Sequence, residues 1–179
     1  MNLPNKLTIL RVILIPVFVV LLMMCGGEGP LKYAALFVFA AASLTDMLDG
    51  KIARARNLVT DFGKFMDPLA DKALVCAALI CFVELGRLPG WVCIVIVIRD
   101  LAISGFRLVA SDKGRVIAAD MWGKVKTTVQ MITIIVMLLN WQWLRIPETV
   151  LIYAMTALTV ISFIDCFVKN IDIIADGDF

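Results

Sequence analysis

Four aspartates, Asp46, Asp49, Asp67 and Asp71, fall between residues 46 and 71 of a chain that is 61% hydrophobic. An ionised carboxylate is costly in hydrocarbon, so an ionisable residue inside a membrane segment marks a functional site with a partner to be named. Four carboxylates repel one another, and the simplest partner is one divalent cation or two. Hard oxygen ligands at about 2.0–2.6 Å suit magnesium, manganese or calcium, with no need of thiolate or imidazole. The chain has no histidine, which removes the usual general base and the commonest metal ligand. Acid–base work therefore falls to carboxylate, lysine, tyrosine or cysteine.

The spacing of these residues predicts two helices. Asp46, Asp49, Gly50 and Ala53 recur at i, i+3, i+4 and i+7, one helical face. Gly63, Asp67 and Asp71 recur at i, i+4 and i+8, the face of a second helix. The segment from Ala55 to about Asp61 allows an antiparallel turn between them. Set side by side, the two helices present their carboxylates across a narrow gap. Gly50, Ala53 and Gly63 lie on the same faces and leave room there for a ligand.

A second set of residues is basic. Arg99, Ser104 and Arg107 lie inside a run long enough to span a bilayer, and Lys124, Lys126 and Thr127 follow Gly123 in WGKVKTT. A buried guanidinium favours a bidentate anion, and phosphate is the natural one. Lys113, Arg115 and Lys169 read more simply as helix-end cations that snorkel to lipid headgroups. Asp100, beside Arg99, reads as a balancing charge.

The elements that must position these groups are membrane helices. With 179 residues the chain is expected to form a single domain, 1–179. A mean hydropathy of +0.95 places it in the bilayer. The net charge of +2 says little about partners, and no nucleic-acid partner is expected. Cys25, Cys76, Cys81, Cys93 and Cys166 are scattered without a CxxC, as small buried hydrophobes and not as a disulfide or zinc framework. The expected fold is an all-α integral membrane protein with six transmembrane helices at about 8–25, 31–56, 61–85, 89–109, 120–143 and 147–168. The breaks carry turn chemistry: Gly26 to Pro30, Gly86 to Gly90, Ser111 to Gly114, and Arg145 to Pro147.

The opening NLPNKLTILR and the apolar run from Val12 to Cys25 have the outline of a signal peptide. Gly26-Gly27-Glu28-Gly29-Pro30 is a turn and not a cleavage site, and more apolar segments follow, so this is read as the first span. With the N-terminus in the cytoplasm, alternation leaves only Lys32, Arg87 and Arg145 outside among the 17 lysines and arginines. That satisfies the positive-inside rule with both termini cytoplasmic, and it brings the aspartates to the cytoplasmic half of the membrane. The acidic tail IDIIADGDF is expected to fray.

Taken together, Asp46, Asp49, Gly50, Ala53, Arg54, Gly63, Asp67 and Asp71 spell D-x2-D-G-x2-A-R-x8-G-x3-D-x3-D without a gap. This resembles the signature of the CDP-alcohol phosphatidyltransferases. Eight fixed positions at roughly one in twenty each leave little room for coincidence. The opening residues Asn2, Pro4, Asn5, Leu7, Thr8 and Arg11, with RD-x3-S-x2-R at 99–107 and GKVKT at 123–127, are similar to stretches of the phosphatidylglycerophosphate synthases within that family. Those enzymes more often carry Glu at the position of Asp100. The likeness runs from Asn2 to about Trp141.

The resemblance implies a reaction in which the 1-hydroxyl of glycerol 3-phosphate attacks the β-phosphorus of CDP-diacylglycerol, giving phosphatidylglycerophosphate and CMP in phospholipid biosynthesis. It implies Asp46, Asp49, Asp67 and Asp71 as ligands of magnesium or manganese, two ions per site, with Asp71 also the general base. Asp49, Gly50, Ala53, Arg54 and Gly63 would bind CDP-diacylglycerol. Thr8, Arg11, Arg99, Arg107, Lys124 and Lys126 are the candidates for the acceptor phosphate. A homodimer among membrane lipids, in the cell inner membrane with its active site facing the cytoplasm, is implied as well. Three rival readings stand beside this one. They are a sister enzyme that takes phosphatidylglycerol, inositol phosphate or serine; a cation channel or transporter; and a helix bundle whose aspartates merely pair with Lys51, Arg54, Arg56, Lys64 and Lys72.

Overall fold

The computed structural model describes residues 3–56, 61–112 and 121–170, with side chains described at 8–45, 69, 70, 72–107, 110 and 121–170. Those residues form α1 (Leu3–Cys25), α2 (Leu31–Arg56), α3 (Asp61–Glu84), α4 (Gly90–Asp112), α5 (Met121–Leu139) and α6 (Arg145–Lys169). A single 3-10 turn, Gln142–Leu144, precedes α6, and no strand occurs among the described residues. The tail expected to fray, 171–179, and the basic pair Lys113 and Arg115 lie outside the described residues.

Local chemistry explains the helix ends. α1 begins at Leu3, ahead of the expected start near residue 8. Pro4 suits a first turn, where its missing N–H has no intrahelical partner to lose. α1 ends where Gly26 and Gly27 take φ of 58° and 75°, left-handed values that glycine adopts without a Cβ penalty. The end of α3 is a Schellman cap: Gly86 has φ 68°, its N–H donates to Val83 O, and Arg87 N–H donates to Phe82 O. α5 stops at Leu139, short of the expected Trp143, because Asn140 turns the chain at φ 44°. Asparagine tolerates that region better than most side chains.

The chain divides into two compact units, Met1–Leu88 with Leu138–Asn140, and Pro89–Met137 with Trp141–Phe179. In the first unit α1 packs along both α2 and α3. Phe18 and Leu22 of α1 and Ala35, Phe39 and Ala42 of α2 are fully buried, and the Phe18 and Phe39 rings meet at 5.5 Å between centroids. Leu74, Ala78 and Phe82 form the matching stripe on α3. At the far end Asn140 Nδ2 donates to Gly27 O at 2.8 Å, and Lys32 Nζ donates to Asn140 O at 3.4 Å. In the second unit α4 packs against α6. Their C-terminal halves share an apolar cleft of about 90 Å³ lined by Ala102, Ile103, Phe106, Phe163, Cys166 and Phe167.

Many large apolar side chains are exposed. Phe37 is 73% exposed, Leu101 61% and Ile146 79%. In water such a surface would be a liability, whereas lipid tails match it. Conversely, Thr156, Thr159 and Ser162 are buried on one stripe of α6, and each hydroxyl donates to a carbonyl of the preceding turn. A hydroxyl satisfied within its own helix can be buried at little cost. Three helical stretches are long and apolar enough to cross a membrane among the described residues: Thr8–Cys25, Met121–Leu139 and Gln142–Lys169; Leu31–Thr45 is a shorter apolar one. The protein is an integral membrane protein.

Candidate active site

Helix register draws the acidic motif and the chain's opening to one end of the first unit. α1 and α2 are joined by the short turn at Gly26–Pro30 and run antiparallel, with Phe18 facing Phe39. Arg11 and Thr8 precede Phe18 by seven and ten residues, and Asp46 and Asp49 follow Phe39 by seven and ten. At 1.5 Å of rise per residue the two pairs stand at matching levels, about 10 and 15 Å from the ring contact. Asp46, Asp49 and Ala53 continue the α2 stripe that buries Ala35, Phe39 and Ala42. On α3, Asp71, Asp67 and Gly63 precede Leu74 by three, seven and eleven residues, the same stripe prolonged toward the helix start.

The structure therefore places Asp46, Asp49, Gly50, Ala53 and Arg54 on the last turns of α2, and Gly63, Asp67 and Asp71 on the first turns of α3. Their side chains lie outside the described residues. Thr8 and Arg11 are described, at 1% and 0% exposure. Both sit on the α1 stripe that carries Phe18 and Leu22, so the interior of this unit turns from apolar to polar along its length. An arginine buried this fully in a membrane protein is a candidate site residue, since a cation is costly away from water unless it is partnered.

The second unit holds the other candidate cations. Lys126 Nζ, on the first turns of α5, donates to both oxygens of Asp100 on α4, at 2.7 and 2.8 Å. Arg99 Nη1 donates to Asp100 Oδ1 at 2.9 Å. Ser104 donates its hydroxyl to the Asp100 main-chain carbonyl. Lys126 is 1% exposed, and the Arg99 and Asp100 side chains are 13% exposed. The guanidinium also lies against the backbone of α5, since a Cβ on Gly123 would stand 3.7 Å from Arg99 Nη2. Arg107, two turns beyond Arg99, and Lys124 are exposed, and the structure does not bring them into this cluster.

Gln130 went unread in the sequence. Asp100, read as a charge balancing Arg99, does pair with it and also receives Lys126, and Gln130 is 3% exposed, one turn beyond Lys126 on the same face of α5. Gly123, Lys126, Gln130, Thr133 and Met137 recur at heptad-like spacing, and the last four are buried. That polar stripe was the available signal for Gln130. For the pairing of Asp100 with Lys126 there was none, because it depends on how α4 and α5 align.

A buried lysine and a half-buried arginine sharing one carboxylate leave a net positive charge, which suits a phosphate. Four aspartates on neighbouring helix faces supply only hard oxygen donors, which suits divalent metal. No group of three or more potential metal ligands occurs among the described residues.

Comparison with known proteins fits this arrangement. The family model for CDP-alcohol phosphatidyltransferase matches residues 1–164. A CDP-diacylglycerol–glycerol-3-phosphate 3-phosphatidyltransferase of Bacillus subtilis is 46% identical over 149 residues, 78% of this chain and 77% of that protein. A probable phosphatidylglycerophosphate synthase of Mycobacterium tuberculosis is 40% identical over 166 residues, covering 92% and 79%. A Haemophilus influenzae protein with the same name as the Bacillus one is 37% identical over 169 residues, covering 91% and 90%. With its acidic motif on two adjoining helices and the family pattern matched over nine-tenths of its length, the chain belongs to the CDP-alcohol phosphatidyltransferase family.

Proposed function

We propose that this protein transfers the phosphatidyl group of CDP-diacylglycerol to the 1-hydroxyl of glycerol 3-phosphate. The products are phosphatidylglycerophosphate and CMP. The observation that carries the acceptor choice is the buried Arg99–Asp100–Lys126 cluster, whose surplus positive charge suits a phosphate-bearing acceptor better than serine. The names of the relatives from Bacillus and Haemophilus agree with it.

In this reading the acceptor hydroxyl attacks the β-phosphorus of the lipid diphosphate. A new phosphorus–oxygen bond forms as the bond to the CMP oxygen breaks, and the hydroxyl proton passes to Asp71. A carboxylate is the available base in a chain without histidine. Two magnesium or manganese ions, held by Asp46, Asp49, Asp67 and Asp71, would supply the charge neutralisation a diphosphate needs. Arg54 holds the diphosphate, while Asp49, Gly50, Ala53 and Gly63 let the cytidine and its phosphates approach the α2 and α3 backbones. Arg99 and Lys126 attract the acceptor phosphate, with Thr8 and Arg11 as further candidates, whereas the exposed Arg107 and Lys124 contribute less.

The same reading makes residues 1–179 one catalytic domain with six spans. Both termini and the reacting groups lie on the cytoplasmic side of the inner membrane, as the distribution of lysine and arginine supports. The family resemblance supports a homodimer that draws its donor from the surrounding lipid. The test is a CMP-release assay on purified protein, with and without magnesium, across glycerol 3-phosphate, phosphatidylglycerol, inositol phosphate and serine. Release driven by glycerol 3-phosphate and abolished by chelation is expected. Release driven better by another acceptor would move the protein to a sister activity, and metal flux without CMP would make it a transporter.

A further inference from the structure

The cluster in the second unit contains more than the two cations needed to attract a phosphate. Asp100 receives Lys126 on both carboxylate oxygens and Arg99 on one. An acidic residue beside an anion site would ordinarily repel the ligand, so its place at the centre needs a reason. Two facts supply one. The first is burial: Lys126 is 1% exposed, and a lysine stem with four rotatable bonds has no fixed direction unless something holds its ammonium. The second is that donors remain unused. Arg99 Nε and Gln130 Nε2 are buried with no hydrogen-bond partner among the described residues. Buried donors without acceptors are costly, and native proteins keep them where a ligand completes them. Gln130 lies one turn from Lys126 on the same face of α5, so the open donors border the ion pair.

We propose that Asp100 is a positioning residue for acceptor recognition: it holds Arg99 and Lys126 as a fixed cationic fork that receives a phosphate monoester. The inference rests on the acceptor site proposed above and adds the group that shapes it. One carboxylate shared by two cations leaves one positive charge over, enough to attract a phosphate and too little to blow the helices apart when the site is empty. Without the carboxylate, Lys126 loses the group that receives it on two oxygens, and Arg99 loses its one described hydrogen-bond partner. The outcome is a weaker phosphate site, even though a negative charge has been removed.

The test measures KM for glycerol 3-phosphate and for CDP-diacylglycerol separately, with inorganic phosphate as a competing anion, in Asp100→Asn and Asp100→Glu. Asp100→Asn should raise the acceptor KM and the inhibition constant of phosphate together by about tenfold or more, the loss of one charge-assisted hydrogen bond. The lipid KM should stay put, and Asp100→Glu, which keeps the charge, should recover most of the effect. An acceptor KM that is unchanged or lower overturns the proposal, as does an equal rise in both KM values. If Asp100→Asn does not fold, the amide pair Asp100→Asn/Lys126→Gln removes the stranded charge. Because Asp100 also holds Arg99, the pair's acceptor KM should exceed that of Lys126→Gln alone, and the absence of any further rise would overturn the proposal. Wild-type protein that releases no CMP with glycerol 3-phosphate would instead refute the acceptor assignment, so the two failures are distinguishable.

Discussion

Gly123 offers the sharpest probe of the cationic site, because a series of side chains there changes space without touching charge. A Cβ at this position would stand 3.7 Å from Arg99 Nη2, an ordinary van der Waals contact. Gly123→Ala should therefore leave activity near wild type. It should also raise stability by about 0.5–1 kcal/mol, since glycine is the poorer helix former inside α5. Gly123→Val adds two methyls, each a further ~1.5 Å out, toward a guanidinium anchored at 2.9 Å to Asp100. The guanidinium must then move and lose a charge-assisted hydrogen bond worth about 1.5–3 kcal/mol. That predicts a fall of roughly 10- to 150-fold in kcat/KM for glycerol 3-phosphate. The fall should appear in the acceptor KM with the lipid KM unaltered, and the melting temperature in detergent should drop by several degrees with the lost bond. A graded loss already present in the alanine variant, or a valine variant as active as the parent, would show that Arg99 does not hold its place against α5 during turnover.

Other outcomes follow from the same geometry. Asp71→Asn should abolish CMP release while CDP-diacylglycerol still binds; turnover near wild type would remove Asp71 as the base. Lys126→Met should raise the acceptor KM well beyond the rise from Arg107→Ala, because Lys126 is buried and ion-paired whereas Arg107 is exposed; steady-state kinetics on the two variants would reverse the assignment if Arg107 dominated. Phe39→Ala removes half of the 5.5 Å ring contact with Phe18 and should cost about 3–5 kcal/mol, read as a lowered melting temperature in detergent.

The helices were legible wherever their ends were written in glycine and proline. Gly26, Gly27 and Gly86 sit in left-handed backbone as such residues should, and the α1–α2 and α3–α4 breaks fell where they were expected. The α5–α6 break was harder, because Asn140 is a weaker signal than glycine and the apolar Trp141 and Trp143 disguise the turn. The acidic motif was readable because its spacing is local to each helix. The partnership of Asp100 with Lys126 was not, since 26 residues and a helix reversal separate them and only packing decides which residues of α4 meet α5.

The same rule recurs in each unit: a buried stripe changes character along its length. On α1 it runs from Leu22 and Phe18 to Arg11 and Thr8; on α5, from Met137 and Ile134 to Gln130 and Lys126. A helix pair that is apolar throughout would be easier to insert and to hold together. Retaining charge at one end of successive stripes is costly unless those ends share a task, because each charge needs a partner where water is scarce. Within the first unit α1 and α2 are joined by a short turn and run antiparallel, so the polar start of α1 lies level with the end of α2. A stripe with hydrocarbon at one end and anchored charge at the other suits a reaction that joins a lipid to a water-soluble phosphate, because such a site must meet both media.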